Sequence, residues 1–147
     1  MPALTGRFEH SVDEKGRMFV PSRYREQLTE ESGKRFHLSK GADGCLWLFL
    51  PSQWERFTAE AHEKQFKTPQ EKRAFIRELF SRSTEPMMDE QGRITLPQHL
   101  KDSAGLKKEL VVLGVGSRAE IWDKAALEKR EKASAKDFDR VISSMDL

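Results

Sequence analysis

An internal repeat constrains the fold of this chain more than any other feature of its sequence. Residues 13–21, DEKGRMFVP, recur 76 positions later as residues 89–97, DEQGRITLP, with five of the nine positions identical. A weaker match follows, because residues 41–47, GADGCLW, are answered by residues 116–122, GSRAEIW. Self-similarity of this kind marks a duplicated structural unit. We therefore expect two tandem copies of one supersecondary unit.

The first part of each copy is predicted to be a β-hairpin. Residues 7–12 and 17–20 have β-prone character, and residues 13–16 between them contain the Asp and Gly typical of tight turns. Pro21 then ends the second strand, as Pro97 does in the second copy, and each proline precedes a helix. Since the charged residues fall in the turn, the hairpin should have a charged tip.

A short helix and a second hairpin are predicted to follow. Ser22 is placed to cap a helix that runs to about Leu28. In the second copy residues 98–104 form the equivalent helix, and Gly105 ends it. The second hairpins join residues 35–39 to 45–50 and residues 109–113 to 119–122.

Two helices are predicted between the copies. Residues 52–55, SQWE, have the pattern of a capping box that opens a helix toward Phe66. Thr68 and Pro69 open a second helix, which should end near Phe80.

One charged helix is predicted after the second copy. Asp123 is placed to cap it, and it runs from Lys124 onward. Its sparse apolar face consists of Leu127, Phe138, Val141, Ile142 and Met145.

The chain accordingly divides into two repeats and two helical segments. The divisions are residues 1–51, the first repeat; 52–83, the connecting helices; 84–123, the second repeat; and 124–147, the C-terminal helix. No Gly/Ser-rich linker separates the repeats, and a unit of about fifty residues has little core of its own. We expect the repeats to pack together as one compact, pseudo-symmetric α+β domain.

The overall charge does not by itself indicate nucleic-acid binding. The 26 Lys and Arg residues are nearly balanced by 24 Asp and Glu residues, which leaves a net charge of +2. A protein that binds nucleic acid with its whole surface is usually strongly basic. Any DNA-binding surface must therefore be local or assembled by oligomerisation.

Cysteine usage and hydropathy suggest a reducing, aqueous compartment. The single Cys45 cannot form an internal disulfide, and with four scattered histidines it supplies no zinc-site spacing, so neither a metal nor a cofactor is expected. Charged residues interrupt the first twenty positions, and no run of eighteen apolar residues occurs. We expect a cytoplasmic protein with no signal peptide.

These motifs resemble those of the MraZ family over almost the whole chain. The resemblance rests on FEHSVDEKGR at residues 8–17, GADGCL at 41–46, DEQGRI at 89–94 and GLKKE at 105–109. It implies a barrel of swapped hairpins, built from two SpoVT-AbrB-type units and related to AbrB and MazE. It also implies a repressor of the division and cell-wall gene cluster, its own promoter included. Such proteins assemble into rings and bind short repeated G-rich boxes, in association with the nucleoid.

The family resemblance directs attention to the two turns as DNA-binding elements. Arg17 is placed to bond O6 and N7 of a guanine in the major groove, and Lys15 to contact phosphate. Gly16 permits the tight turn that presents them. Gly92 and Arg93 repeat this arrangement in the second copy. Asp13 and Asp89 are expected to accept backbone N–H groups within the turns rather than act in catalysis.

Three other interpretations of these residues stand beside this one. The turns are alternatively ordinary solvated loops, in which case the chain is a ring-forming scaffold or antitoxin-like module without specific DNA readout. The tryptophans and phenylalanines are read as core or subunit contacts in preference to base-stacking platforms. Enzymatic activity is not expected, because His10 and Ser11 are adjacent in a strand and face opposite sides, and Cys45 near His37 more closely fits a packed thiol.

Overall fold

The computed structural model describes residues 2–147, which form seven strands and six helices. This mixture confirms the predicted α+β class. In chain order the elements are β1 (Arg7–Ser11), β2 (Arg17–Phe19), α1 (Ser22–Glu30), β3 (His37–Lys40), β4 (Leu46–Phe49), α2 (Pro51–Glu63), α3 (Pro69–Arg82), β5 (Arg93–Thr95), α4 (Gln98–Ser103), β6 (Glu109–Gly114), β7 (Ala119–Asp123), α5 (Lys124–Ala133) and α6 (Asp137–Ser144).

The strands lie in two antiparallel sheets that both combine elements of the two repeats. The larger sheet has the order β1-β6-β7-β4-β3, and the smaller one is the pair β2-β5. A closed barrel is not seen among residues 2–147, where the two sheets are separate. In the large sheet β4 pairs with β7, so the second hairpins of the two repeats lie side by side.

The prediction that β1 and β2 pair as a hairpin is wrong. A turn does join them, since the Asp13 N–H donates to the Arg17 carbonyl at 2.9 Å. The strands then separate: β1 pairs with β6, and β2 pairs with β5 in a register that places Met18 opposite Ile94. This pairing buries both Met18 and Ile94 in the core. An isolated two-stranded hairpin does not bury its apolar side chains in this way.

The second hairpins are confirmed. β3 pairs with β4, and β6 pairs with β7, with bounds within two residues of those predicted. Asp43 and Gly44 turn the first of these with positive φ angles of 63° and 90°. Turn sequences with Gly and Asp adopt this left-handed backbone at little cost, so sequence alone located these hairpins well.

One hydrophobic core serves both repeats. Met18, Leu46 and Leu48 from the first repeat and Ile94 and Ile121 from the second belong to the same buried cluster. The helices α1 and α4 contribute further buried side chains to this cluster. Because each repeat lacks a separate core of this size, the two repeats form a single packed body.

Two predicted helix caps differ in detail. Pro21, not Ser22, occupies the N-cap position of α1, and Ser22 is its first residue. Ser52 lies inside α2, and its hydroxyl donates to Glu31 Oε2 at 2.6 Å. The helix start is instead held by Gln53, whose Oε1 accepts from the Leu50 N–H at 3.1 Å. Both serines have good capping chemistry, but Pro21 takes the cap position in α1 and Glu31 engages the hydroxyl of Ser52.

Two other caps are confirmed, although the end of the chain is not one helix. Thr68 Oγ1 accepts from the Glu71 N–H at 3.1 Å, and Asp123 Oδ2 from the Ala126 N–H at 3.2 Å. Residues 134–136 interrupt the predicted C-terminal helix and divide it into α5 and α6. The apolar side chains of α6 are exposed, namely Phe138, Val141, Ile142 and, just beyond it, Met145. Across residues 2–147, none of the helices combines the length and apolar character that a membrane span requires.

Candidate nucleic-acid interface

The first turn holds Arg17 in place through one carboxylate. Asp13 Oδ1 accepts from the backbone N–H groups of Lys15 at 2.9 Å and Arg17 at 2.8 Å. Asp13 Oδ2 accepts from Arg17 Nε at 2.8 Å. Gly16 completes the turn at a φ of +79°, and its N–H donates to the Asp13 carbonyl at 3.0 Å. The Asp13 contact uses Nε, so it orients the guanidinium without occupying its two Nη groups.

The second turn repeats this geometry. Asp89 Oδ1 accepts from the N–H groups of Gln91 and Arg93, each at 2.9 Å, and Asp89 Oδ2 accepts from Arg93 Nε at 2.8 Å. Gly92 has a φ of +84°. The sequence repeat is thus a repeat of hydrogen bonds atom for atom, because aspartate, glycine and arginine close the turn in the same way in both copies.

Both turn carboxyl groups remain ionised to lower pH than ordinary aspartates. Hydrogen bonds from the Arg17 backbone N–H, with further bonds from its side chain and from the Lys15 N–H, lower the pKa of Asp13. The corresponding groups of Arg93 and Gln91 lower the pKa of Asp89. At neutral pH each turn therefore pairs a fixed anion with the guanidinium that it orients.

The pairing of β2 with β5 places both arginines on one outward face. Side chains alternate along a strand, so Arg17, Phe19, Arg93 and Thr95 share the face opposite to buried Met18. Arg93 Nη1 lies 4.0 Å from Asp13 Oδ2 of the other turn. Its guanidinium carbon lies 5.9 Å from the centre of the exposed Phe19 ring. The two motifs, distant in sequence, thus form one surface.

Two further cations beside the turns were missed by the sequence analysis. A β-carbon at Gly16 would lie 3.2 Å from Lys101 Nζ, and one at Gly92 would lie 2.5 Å from Arg25 Nη1. Lys101 belongs to α4 and Arg25 to α1, so each turn receives its cation from the opposite repeat. The signal was present, because residues 25 and 101 are separated by the same 76 positions as the turns.

A lysine-lined depression adjoins the first turn. It has a volume of about 510 Å³, and its polar lining includes Asp13 and Glu14 of the turn. Lys101, Lys107 and Lys108 of the second repeat line the other side. Lys107 and Lys108 are exposed, so their ammonium groups are accessible to an anion.

The cysteine and histidine side chains considered for catalysis are buried or partly buried. The Cys45 Sγ is buried and donates to the Ala42 carbonyl at 3.1 Å, and burial raises its pKa to about 12. His37 stacks on Trp54 with ring centres 5.2 Å apart, and burial lowers its pKa. Burial also lowers the pKa of His10. Within the described chain, three His, Cys, Asp or Glu side chains do not converge as a metal site needs.

Most of the aromatic side chains pack against one another rather than form an open stacking surface. Trp47, Phe49 and Phe57 surround the guanidinium of Arg118, whose carbon lies 4.4–5.3 Å from the three ring centres. Trp54 packs against Phe49 at 5.2 Å. Burial lowers the pKa of Arg118, which lies among these rings. This cluster fastens α2 to the large sheet.

A protein-family model matches nearly the whole chain. The family is described as "MraZ protein, putative antitoxin-like", and the match covers residues 3–77 and 79–146. Each matched stretch contains one of the two Asp-x-x-Gly-Arg turns.

Curated relatives agree with this match. The chain is 42% identical to the transcriptional regulator MraZ of Acetivibrio thermocellus over 123 residues, which cover 84% of this chain and 82% of the relative. It is 41% identical to the protein of the same name from Pelotomaculum thermopropionicum over 140 residues, which cover 95% and 93%. With that of Carboxydothermus hydrogenoformans the identity is 43% over 117 residues, covering 80% and 78%. The chain belongs to the MraZ family.

Proposed function

We propose that the chain is a transcriptional regulator that binds specific sites in double-stranded DNA through its two Asp-x-x-Gly-Arg turns. Its relatives carry the name of transcriptional regulators, which is not an enzyme class. The observation that carries the proposal is the outward face of the β2-β5 pair, where an aspartate orients each arginine. An arginine oriented before binding loses less conformational freedom when it meets a base edge.

Each turn residue has a role in this proposal. Arg17 bonds O6 and N7 of a guanine with its Nη groups, while Lys15 neutralises a nearby phosphate. Gly16 allows the chain to turn closely enough for the tip to enter the major groove.

The second turn presents Arg93 and Gly92 with the same backbone geometry. Asp13 and Asp89 position the arginines, and Pro21 and Pro97 end the strands and start the helices behind them.

The finer architecture that we propose follows the family. Residues 1–51 and 84–123 act as AbrB-like repeats that exchange strands in the manner of swapped hairpins. The pairing of β2 with β5 and of β1 with β6 supports this exchange. Residues 52–83 and 124–147 provide the helical segments around these repeats.

The biological role that we propose is repression of the division and cell-wall gene cluster, including the protein's own promoter. The protein acts in the cytoplasm, in association with the nucleoid. Several subunits form a ring and engage successive repeated boxes. With a net charge of only +2, a single subunit is expected to bind DNA weakly. A ring would offset this weakness, because linked sites raise the effective concentration of each contact.

The test is a fluorescence-anisotropy titration of DNA from upstream of the protein's own gene against a shuffled sequence, at two salt concentrations. Wild type should prefer the native DNA and weaken as salt rises. Arg17→Ala should lose about 1–3 kcal/mol, or roughly 5- to 150-fold in affinity, for each engaged subunit. Arg140→Ala removes the same charge from the exposed surface of α6 and serves as the matched control.

The alternative function is a protein-binding scaffold or antitoxin-like module. It gains support if wild type binds both DNAs equally and weakly. Specific binding that persists unchanged in Arg17→Ala would instead remove Arg17 from the reading role.

A further inference from the structure

The two turns share a backbone geometry but not an environment. The Arg17 side chain is 32% exposed, whereas that of Arg93 is 19% exposed. Arg93 is also shared between two carboxylates, since it lies 4.0 Å from Asp13 as well as 2.8 Å from Asp89. Phe19 lies under its guanidinium. Arg93 is therefore engaged within the protein to a greater degree than Arg17.

The residues around the first turn are free to meet an anion. Lys15 is exposed at the tip, and the depression beside it presents Lys101, Lys107 and Lys108. The acidic side chains on that depression are Asp13 and Glu14. The carboxylate of Asp13 is occupied by the turn itself. The first turn and its depression thus form a local cationic surface on a nearly neutral protein.

The cations around the second turn differ from those around the first. Gln91 stands where the first turn has Lys15. Arg25, the counterpart of Lys101, lies over Gly92 with its Nε buried. Arg35 follows α1 as Lys108 follows α4, and its Nη1 donates to the Glu85 carbonyl at 2.9 Å. Lys34 and Arg35 are exposed, so the second turn keeps cations in its neighbourhood, but its tip lacks a lysine and its nearest cation, Arg25, is partly buried.

We propose that the two turns are functionally unequal. The first turn and the lysine depression form one composite DNA site, with the base-reading arginine from the first repeat and three phosphate-binding lysines from the second. The second turn is a junction within the protein that contributes little to DNA affinity. This inference rests on the proposed function, because it assigns the DNA contacts of that function to one of two similar motifs.

An exchange of residues between the turns provides a charge-neutral test. The double variant Lys15→Gln/Gln91→Lys moves one exposed lysine from the first tip to the second without altering net charge. If the turns are unequal, affinity for the native DNA should fall. The slope of log affinity against log salt should also decrease by about 0.9 for each phosphate that the protein no longer neutralises. Unchanged affinity and slope in the double variant would overturn the inequality.

A second comparison tests the depression itself. Replacing Lys101, Lys107 and Lys108 by Gln should reduce the salt slope by about 2–3 for each engaged subunit, since three phosphates are then left without a protein cation. The control replaces three exposed lysines of the C-terminal helical segment, Lys129, Lys132 and Lys136, with Gln. The control should retain the wild-type slope. Equal slopes in the two triple variants would overturn the assignment of phosphate binding to the depression.

Wild-type binding separates this inference from the proposed function. A wild-type protein that does not prefer the native DNA removes the proposed function, and the inequality with it. A wild-type protein that prefers the native DNA, with an exchange variant that binds equally well, removes only the inequality.

Discussion

The pairing of β2 with β5 predicts that a single core residue stabilises both repeats. Ile94 is 1% exposed, lies opposite Met18 across the pair, and belongs to the cluster that contains side chains of both repeats. Replacing Ile94 by Ala removes buried methyl and methylene groups and leaves a cavity. The expected cost is about 2–5 kcal/mol of unfolding free energy. Folded domains are commonly stable by about 5–15 kcal/mol, so this loss is a large fraction of the total.

Urea denaturation followed by far-UV circular dichroism and by tryptophan fluorescence measures this loss. The two signals should coincide in one transition, because the repeats share their core. The midpoint of thermal unfolding should fall by about 4–20 °C. Ile142→Ala is the matched control, because Ile142 is 40% exposed on α6, and it should change stability by no more than about 0.5 kcal/mol.

Two results would refute the reasoning about Ile94. Equal stability of the Ile94→Ala and Ile142→Ala variants would show that the β2-β5 pair does not hold the core together. Separate transitions for the two signals would show that the repeats unfold as independent domains.

The remaining predictions concern the turns. Because the pKa of Asp13 is lowered in the folded protein, its stabilising effect is complete above about pH 4 and is lost as the pH falls through the folded-state pKa. Asp13→Asn should therefore make the midpoint of thermal unfolding less sensitive to acid. It should also loosen Arg17 and so lower DNA affinity at neutral pH. A midpoint that depends on pH as it does in wild type would contradict this. Gly92→Ala should lower the free energy of unfolding by about 1–3 kcal/mol because of its positive φ, and by more because the new methyl group displaces Arg25. Gly44→Ala is the control, because Gly44 has a similar φ with open space around it and should incur the backbone cost alone. Equal losses of stability in urea for these two variants would show that Arg25 moves aside without a measurable cost.

Sequence reasoning located the elements whose partners are close in the chain. The second hairpins needed only turn residues such as Asp43 and Gly44 between two apolar segments. The caps at Thr68 and Asp123 depend on side chains that reach three residues ahead. Each of these interactions involves a few neighbouring residues, so a short stretch of sequence carries the information.

Predictions failed where a distant segment competed with a neighbouring one. Ser52 has the chemistry of a helix cap, yet its hydroxyl donates a hydrogen bond to Glu31, which follows α1. Arg25 and Lys101 looked like ordinary helix residues until the fold brought each beside the opposite turn. Sequence reasoning applied to one segment at a time does not describe these contacts.

The sequence by itself determined the two turns and their duplication. Asp13 and Gly16, with Asp89 and Gly92, close identical loops through hydrogen bonds that span at most four residues. Only the tertiary structure decided which strands pair across the repeats and which cations reach each turn. The physical reason is that the hydrogen bonds of a turn are local. The choice of strand partner instead depends on burying apolar side chains such as Ile94, and the core that buries them exists only once both repeats have assembled.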